Sequence, residues 1–394
     1  MEKLGWLQDG KGDIELIELN RYLKARGEAE VFDISFFYDV NQPIITETHQ
    51  VLSKNLEEAL RQEQVTEKFR IIWLMDDQLN AMALQTVLCE ERLIFINFGC
   101  YFILMNFFQS LMASPTFATT IGNVGLDEMG PKIEVVSNAT AVVTNRTGRI
   151  SKCPTRYFFG GLLATTALHF LLFHELTHLV NGHEALDGLS SESTRQDYST
   201  QNIKGHTLEM DADSGAVIKI FNQMFQGVFG RGGELRAGTP NIEHYYSVRD
   251  SLGIGIQSVC KILSIAMVGV FTLFNPRRLG KENMFNGSHP NAFLRQVMAG
   301  SVLSGHVKRY GGNGAAEEAL SETHIAFRDI YSEIDFREQS KGVMESILEF
   351  INSDAFEYYN CRLNKCWRDE LHSLLKQRKI SKAKLAIPKG ELNC

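Results

Sequence analysis

The stretch that most constrains this chain is His174-Glu175-Leu176-Thr177-His178, set inside an apolar run from Leu162 to Val180. The two histidines are four residues apart, so on an α-helix their rings project from one face. Both imidazoles can then bind one zinc ion, while Glu175 points at the metal's open coordination position. The helix is predicted over roughly Phe159 to Asn181, and Gly182 stands where a C-terminal glycine cap falls.

Zinc in a hydrolase takes three protein ligands and keeps a fourth position for water, so the motif needs a third ligand. Glu209 and Asp213 lie four apart in a second helical stretch that resumes near His206. They share a face. One carboxylate can hold the metal, and the other, a turn away, can accept the N–H of a ligating histidine and fix its tautomer. Asp211, two residues from Glu209, is expected to face elsewhere. A third histidine of the metzincin pattern H-E-x-x-H-x-x-G-x-x-H is the rival, but Gly182 comes late and His183 early for that register. His183 is therefore expected at the helix end, beside the ligands rather than among them. His169, five before His174, is expected to pack or cap.

The rest of the 394 residues is read around that helix, and the chain is long enough to bury a sizeable core. Val31 to Tyr38, Ile71 to Leu74, Leu79 to Ala83, Leu93 to Asn97 and Lys132 to Thr144 are strand-like, and helices are predicted over Thr46 to Arg70 and Cys100 to Met112. Pro115 to Gly130 is a Gly/Thr-rich loop, Glu184 to Lys204 a polar surface loop, and amphipathic helices run to about residue 376. This is a helix-rich α+β pattern. The division taken is 1–70, a mixed N-terminal segment; 71–310, the catalytic domain; and 311–394, a helical extension with a basic tail.

A net charge of −7, with no dominant basic patch, argues against nucleic acid as a partner. Lys376 to Lys384 and Pro276-Arg277-Arg278 are read as solvated ends. Seven scattered cysteines, several in apolar runs, suggest buried free thiols in a reducing, cytoplasmic compartment; Cys361 and Cys366 alone do not make a zinc site. Met1 to Asn20 does not read as a secretory signal, and the terminal Cys394 is not in a prenylation box. Leu252 to Phe274 is almost wholly apolar and long enough to span a bilayer. Gln257, Lys261 and three glycines favour a buried core helix, with membrane association through 252–274 as the alternative.

With these residues in view the chain resembles a family. His174-Glu175-x-x-His178-x-x-x-Gly182-His183 followed by Glu209-x-x-Ala212-Asp213 is similar to the gluzincin peptidases related to the CAAX-prenyl endopeptidase and the HtpX heat-shock membrane protease. Asn80-Ala81-Met82-Ala83 and Leu93 to Gly99 resemble that family's strands above the cleft. Ser288-His289-Pro290 through Arg295 resembles its late His-Pro-x-x-x-x-Arg element. The order of elements also matches, over roughly residues 75 to 300. The long insertion after Gly99 and the shortage of spanning helices suggest a soluble or peripheral branch, and the Lit-type phage-exclusion peptidases resemble it too.

The resemblance implies a zincin-like fold with a small sheet above the metal helix. It implies one Zn2+ on His174, His178 and Glu209, with Asp213 behind them, and a protein or peptide substrate. Glu175 is then the general base, and the metal brings its water to a pKa of about 7. His289 is the expected oxyanion donor, with Arg295 supporting either the oxyanion or the acidic shell. Tyr245 and Tyr246 are the weaker alternatives. An exposed strand, expected at Leu93 to Asn97, could align the substrate backbone. The competing reading from another class is a non-catalytic, membrane-associated binding protein with a structural metal site. An intact Glu175 counts against it, because such a site has no use for a base.

Overall fold

In the computed structural model the described residues are 16–32, 43–85, 90–137, 141–143, 149–184, 186, 198–235, 241–274, 284–287, 289–335, 343–382 and 385. The fold is helix-rich α+β. Helices α1 (Leu16–Ala25) and α2 (Pro43–Gln62) precede strands β1 (Phe69–Leu74), β2 (Ala81–Gln85) and β3 (Arg92–Asn97). β3 is central, parallel to β1 and antiparallel to β2.

The apolar runs of β1 and β3 are explained by burial on both faces. Ile71, Trp73, Ile94 and Ile96 enter the main core, which α2 also lines through Leu52 and Leu56. Their alternate neighbours Ile72, Leu74, Leu93 and Phe95 pack under Leu19 and Leu23 of α1. The sheet therefore lies between α1 and the helical body. Of the β-prone run from Val31, only a bridge from Val31 to Leu74 is observed; the remainder from Asp33 lies outside the described residues, as do most of the polar stretch Glu184 to Lys204 and the Pro276–Arg278 segment.

β3 leads directly into α3 (Phe98–Met112). The predicted single strand over Lys132 to Thr144 is instead two, β4 (Ile133–Ser137) and β5 (Ala141–Val143), paired antiparallel; β6 (Ile334–Asp335) joins β4 in parallel. The motif helix α4 (Pro154–Asn181) starts a turn earlier than predicted, with Pro154 in its first turn. That position suits proline, because no intrahelical partner is lost there. Near its start the fully buried Arg156 donates to the carbonyls of Met112, Ser114, Phe117, Ala118 and Ile121 and pairs with Asp127 at 2.9 Å. One guanidinium thus satisfies five carbonyls at and beyond the end of α3, where the sequence reads as a loop.

Helix α5 (Tyr198–Gln226) begins before His206, followed by α6 (Ile242–Leu252), α7 (Ile256–Leu273) and α8 (Ala292–Glu333), which kinks at Gly312. Leu252 to Phe274 is thus not one helix. Gly253 (φ 84°) and Gly255 (φ 135°) break it, because such backbone angles end a helix and favour glycine. Glu322 of α8 faces Gln257 and Lys261 of α7, which accounts for the two polar residues in the apolar run. Among the described residues α4 and α7 are long and apolar enough to cross a membrane, yet 72% and 83% of their apolar windows are buried inside the chain.

Helices α9 (Val343–Ile351), α10 (Asp354–Cys366) and α11 (His372–Arg378) are the last among the described residues. They form a second core with Met284, Phe293 and Leu294, around Tyr359 and Trp367. Cys100, Cys153, Cys260 and Cys366 are buried free thiols, as expected. Cys361 departs from that expectation by being disulfide-bonded.

Candidate metal centre

His174 and His178 project from one face of α4, with their Nε2 atoms 3.1 Å apart. Glu209 of α5 comes between them: Oε2 is 3.4 Å from His174 Nε2 and Oε1 is 3.5 Å from His178 Nε2. The three ligand atoms lie within 4.8 Å of one another, and the group could hold a metal ion. Two imidazole nitrogens and a carboxylate oxygen, converging and largely buried, fit a cation.

Asp213 stands one turn beyond Glu209. Its Oδ1 accepts from His174 Nδ1 at 2.8 Å, which leaves Nε2 as the nitrogen facing the ligand set. Arg295 then grips Asp213 with both arms, Nε to Oδ2 at 2.8 Å and Nη2 to Oδ1 at 2.7 Å, and reaches Glu209 at 3.4 Å. Its guanidinium rests over Phe271 and Phe274. Of the two alternatives for Arg295, the geometry is that of the acidic shell. His289 reaches the same Glu209 oxygen through Nδ1 at 3.2 Å, with its side chain 63% exposed.

Electrostatics divide the acids by task. Burial works against ionising Glu209 and Asp213, but the charge of Arg295 and the contacts with His174 hold both below their ordinary range. Burial alone would depress His174; the hydrogen bonds and charges of Asp213 and Glu209 overcome it and raise the group to about 10. His178 is pushed well below its ordinary value, first by burial and then by the charge on His174. Glu175 is pushed up by burial. Two acids are kept ionised and one is made a better base, a separation typical of acid–base chemistry.

Glu175 also accepts from the backbone N–H of Ala83 on β2. The register explains this contact. Asn97 N–H donates to Asn80 O, so Asn80, Met82 and Leu84 turn their backbone groups towards β3, and Ala81 and Ala83 turn theirs outward. The expectation that Leu93 to Asn97 offers a free edge is thus overturned: β3 has partners on both sides, and among the described residues β2 is an edge strand of the sheet.

Three further residues belong to the centre. Asp211, expected to face elsewhere, binds His183 Nε2 at 3.1 Å, and His183 Nδ1 meets His178 Nδ1 at 2.9 Å. His206, fully buried one turn before Glu209, faces Gly287 O with Nε2 and the Tyr359 hydroxyl with Nδ1, both at 3.1 Å. A carbonyl only accepts, so Nε2–H donates and Nδ1 takes the Tyr359 proton. This pair ties the loop carrying His289 to α5 and α10. Only the position of His206 beside Glu209 hinted at it. His169 packs as expected, against Thr165 O and Asn55. Tyr245 packs edge-on against Phe158 and tilted beside Phe229, and the Tyr246 hydroxyl accepts from Leu235 N–H, so both are engaged elsewhere.

Compared with family models, with curated proteins and with solved structures, the chain finds no match in any of the three.

Proposed function

We propose that this protein is a zinc-dependent endopeptidase. The observation that carries the proposal is Glu175: a buried, up-shifted carboxyl beside a His174–His178–Glu209 set, facing the edge strand β2. A structural metal site needs no such base, whereas a hydrolase does. Two histidines with a carboxylate is the ligand set that zinc hydrolases use, and the order of motifs from Asn80 to Arg295 resembles the gluzincin peptidases with their zincin-like fold.

Bound zinc would supply Lewis-acid polarisation of a peptide carbonyl and a lowered pKa for water. The chain's own residues do the rest. An extended peptide aligns on the outward N–H and C=O groups of Ala81 and the C=O of Ala83, whose N–H serves Glu175. Glu175 takes a proton from water and later returns it to the leaving amine. His289, anchored on Glu209 through Nδ1–H, donates Nε2–H to the developing oxyanion when the ring carries both protons. Arg295 keeps Asp213 and Glu209 ionised.

A comparison of protein N-termini in cells expressing the parent or Glu175→Gln tests the proposal. New termini that depend on Glu175 are expected. One dominant terminus identifies a dedicated target, many identify general proteolysis, and none contradicts the proposal.

A further inference from the structure

We infer that His183 and Asp211 are positioning residues that lock the tautomer and ring orientation of His178. The inference rests on the reading of His174, His178 and Glu209 as a metal set.

The cause begins in the backbone. Gly182 closes α4 in the left-handed region, with φ 77° and ψ 28°. That turn lets His183 N–H donate to His178 O at 3.0 Å. It also folds the His183 ring back against His178, edge-on at 82° with centroids 4.9 Å apart. A histidine out of register for ligation is thereby in register for the ligand's far side.

The hydrogen bonds then run in one direction. A carboxylate only accepts, so Asp211 Oδ2 accepts hydrogen bonds from Asn181 Nδ2–H at 2.7 Å and from His183 Nε2–H at 3.1 Å. With its proton on Nε2, His183 presents a lone pair on Nδ1. The facing His178 Nδ1, 2.9 Å away, must donate. His178 Nε2 then carries the lone pair that faces His174 and Glu209. His183 is 2% exposed, so water does not substitute freely for either bond.

α5 therefore serves the site three times from successive odd positions. Glu209 enters the ligand set, Asp213 orients His174 directly, and Asp211 orients His178 through an imidazole spacer. Ligand-orienting contacts of this kind typically change metal affinity by about 10–100-fold.

The test uses the full-length protein with Zn2+ alone, titrated against a chromophoric chelator. It also uses 113Cd-substituted protein, in which long-range NMR couplings report the His178 nitrogen that holds the metal. The parent is expected to bind one ion, with His178 coupled through Nε2. His183→Phe removes the acceptor and is expected to bind about 10–100-fold more weakly, with the Nε2 coupling lost or mixed with Nδ1. His183→Gln returns an acceptor oxygen and is expected to recover most of the affinity. Asp211→Ala is expected to weaken binding as well, and decides alone if His183→Phe does not fold. Parent-like affinity and Nε2 coupling in both His183→Phe and Asp211→Ala would overturn the inference, as would a His183→Gln no better than folded His183→Phe. A parent protein that binds no metal overturns the metal reading itself, which is a distinguishable outcome.

Discussion

Thr177 of α4 and Gly215 of α5 are in contact so close that a Cβ on Gly215 would overlap Thr177 Oγ1. Thr177 cannot withdraw easily, since its hydroxyl donates to Phe173 O at 2.7 Å and accepts from Lys219 at 3.1 Å. The missing side chain lets the two helices approach until Glu209 reaches both histidines. Gly215→Ala is expected to cost about 1–3 kcal/mol of stability through overpacking and to weaken zinc binding without touching a ligand. Urea unfolding and chelator competition measure the two effects; unchanged affinity would show that the close contact does not set the ligand spacing.

Glu209→Ala removes the proposed third ligand and leaves Arg295 without one of its acidic partners. Loss of bound zinc with the fold intact, measured by metal analysis and circular dichroism, is the expected outcome. Full retention of zinc would remove Glu209 from the ligand set.

Tyr359 is far from Glu209 in sequence but acts on the same loop. Tyr359→Phe deletes the hydroxyl donated to His206 at 3.1 Å, leaving a buried imidazole nitrogen unpaired at a cost of about 1–3 kcal/mol. The His289 loop should loosen. Zinc content should stay at the parental level while peptide cleavage falls, because His289 is no longer held on Glu209. Parental cleavage by a folded variant would detach α10 from the site.

Stability should fall in acid for a reason unrelated to metal. His49, His169, His206 and His306 are each lowered from 6.5 to about 4 by burial. Between those values the folded chain binds fewer protons than the unfolded one, so stability rises with pH. The contribution is full above 6.5 and is lost as pH falls towards 4. His174 acts oppositely in metal-free protein: raised from 6.5 to about 10, it contributes fully below 6.5, and the contribution is lost as pH rises from 6.5 towards 10. Thermal midpoints of metal-free protein should decline from pH 7 to pH 4.5; a flat profile would contradict the buried neutral histidines.

Much of the centre was legible because helical spacing is local. His174 and His178, like Glu209 and Asp213, can be placed on common faces without knowing the fold. Gly182 announced the helix end, and its φ of 77° agrees. Relationships between elements were not legible. Nothing local reveals that β3 is central and β2 the edge, which depends on pairing partners. Asp211 was assigned to another face of α5, correctly, but that face meets His183 rather than solvent. His206 and Tyr359 lie 153 positions apart, and no periodicity joins them. The apolar run from Leu252 was broken by glycine backbone angles that composition does not display. Likewise Lys132 to Thr144 hides a hairpin, because both arms have the same strand-like composition.

The claim on which everything else depends is that Glu175 works as a base beside a zinc ion. Zinc content and peptide-bond cleavage of the purified parent and Glu175→Gln test it together. One zinc per chain is expected in both proteins, with cleavage reduced by about 10²–10⁴-fold or more in the variant. A chain without zinc, or a Glu175→Gln variant as active as the parent, would contradict it.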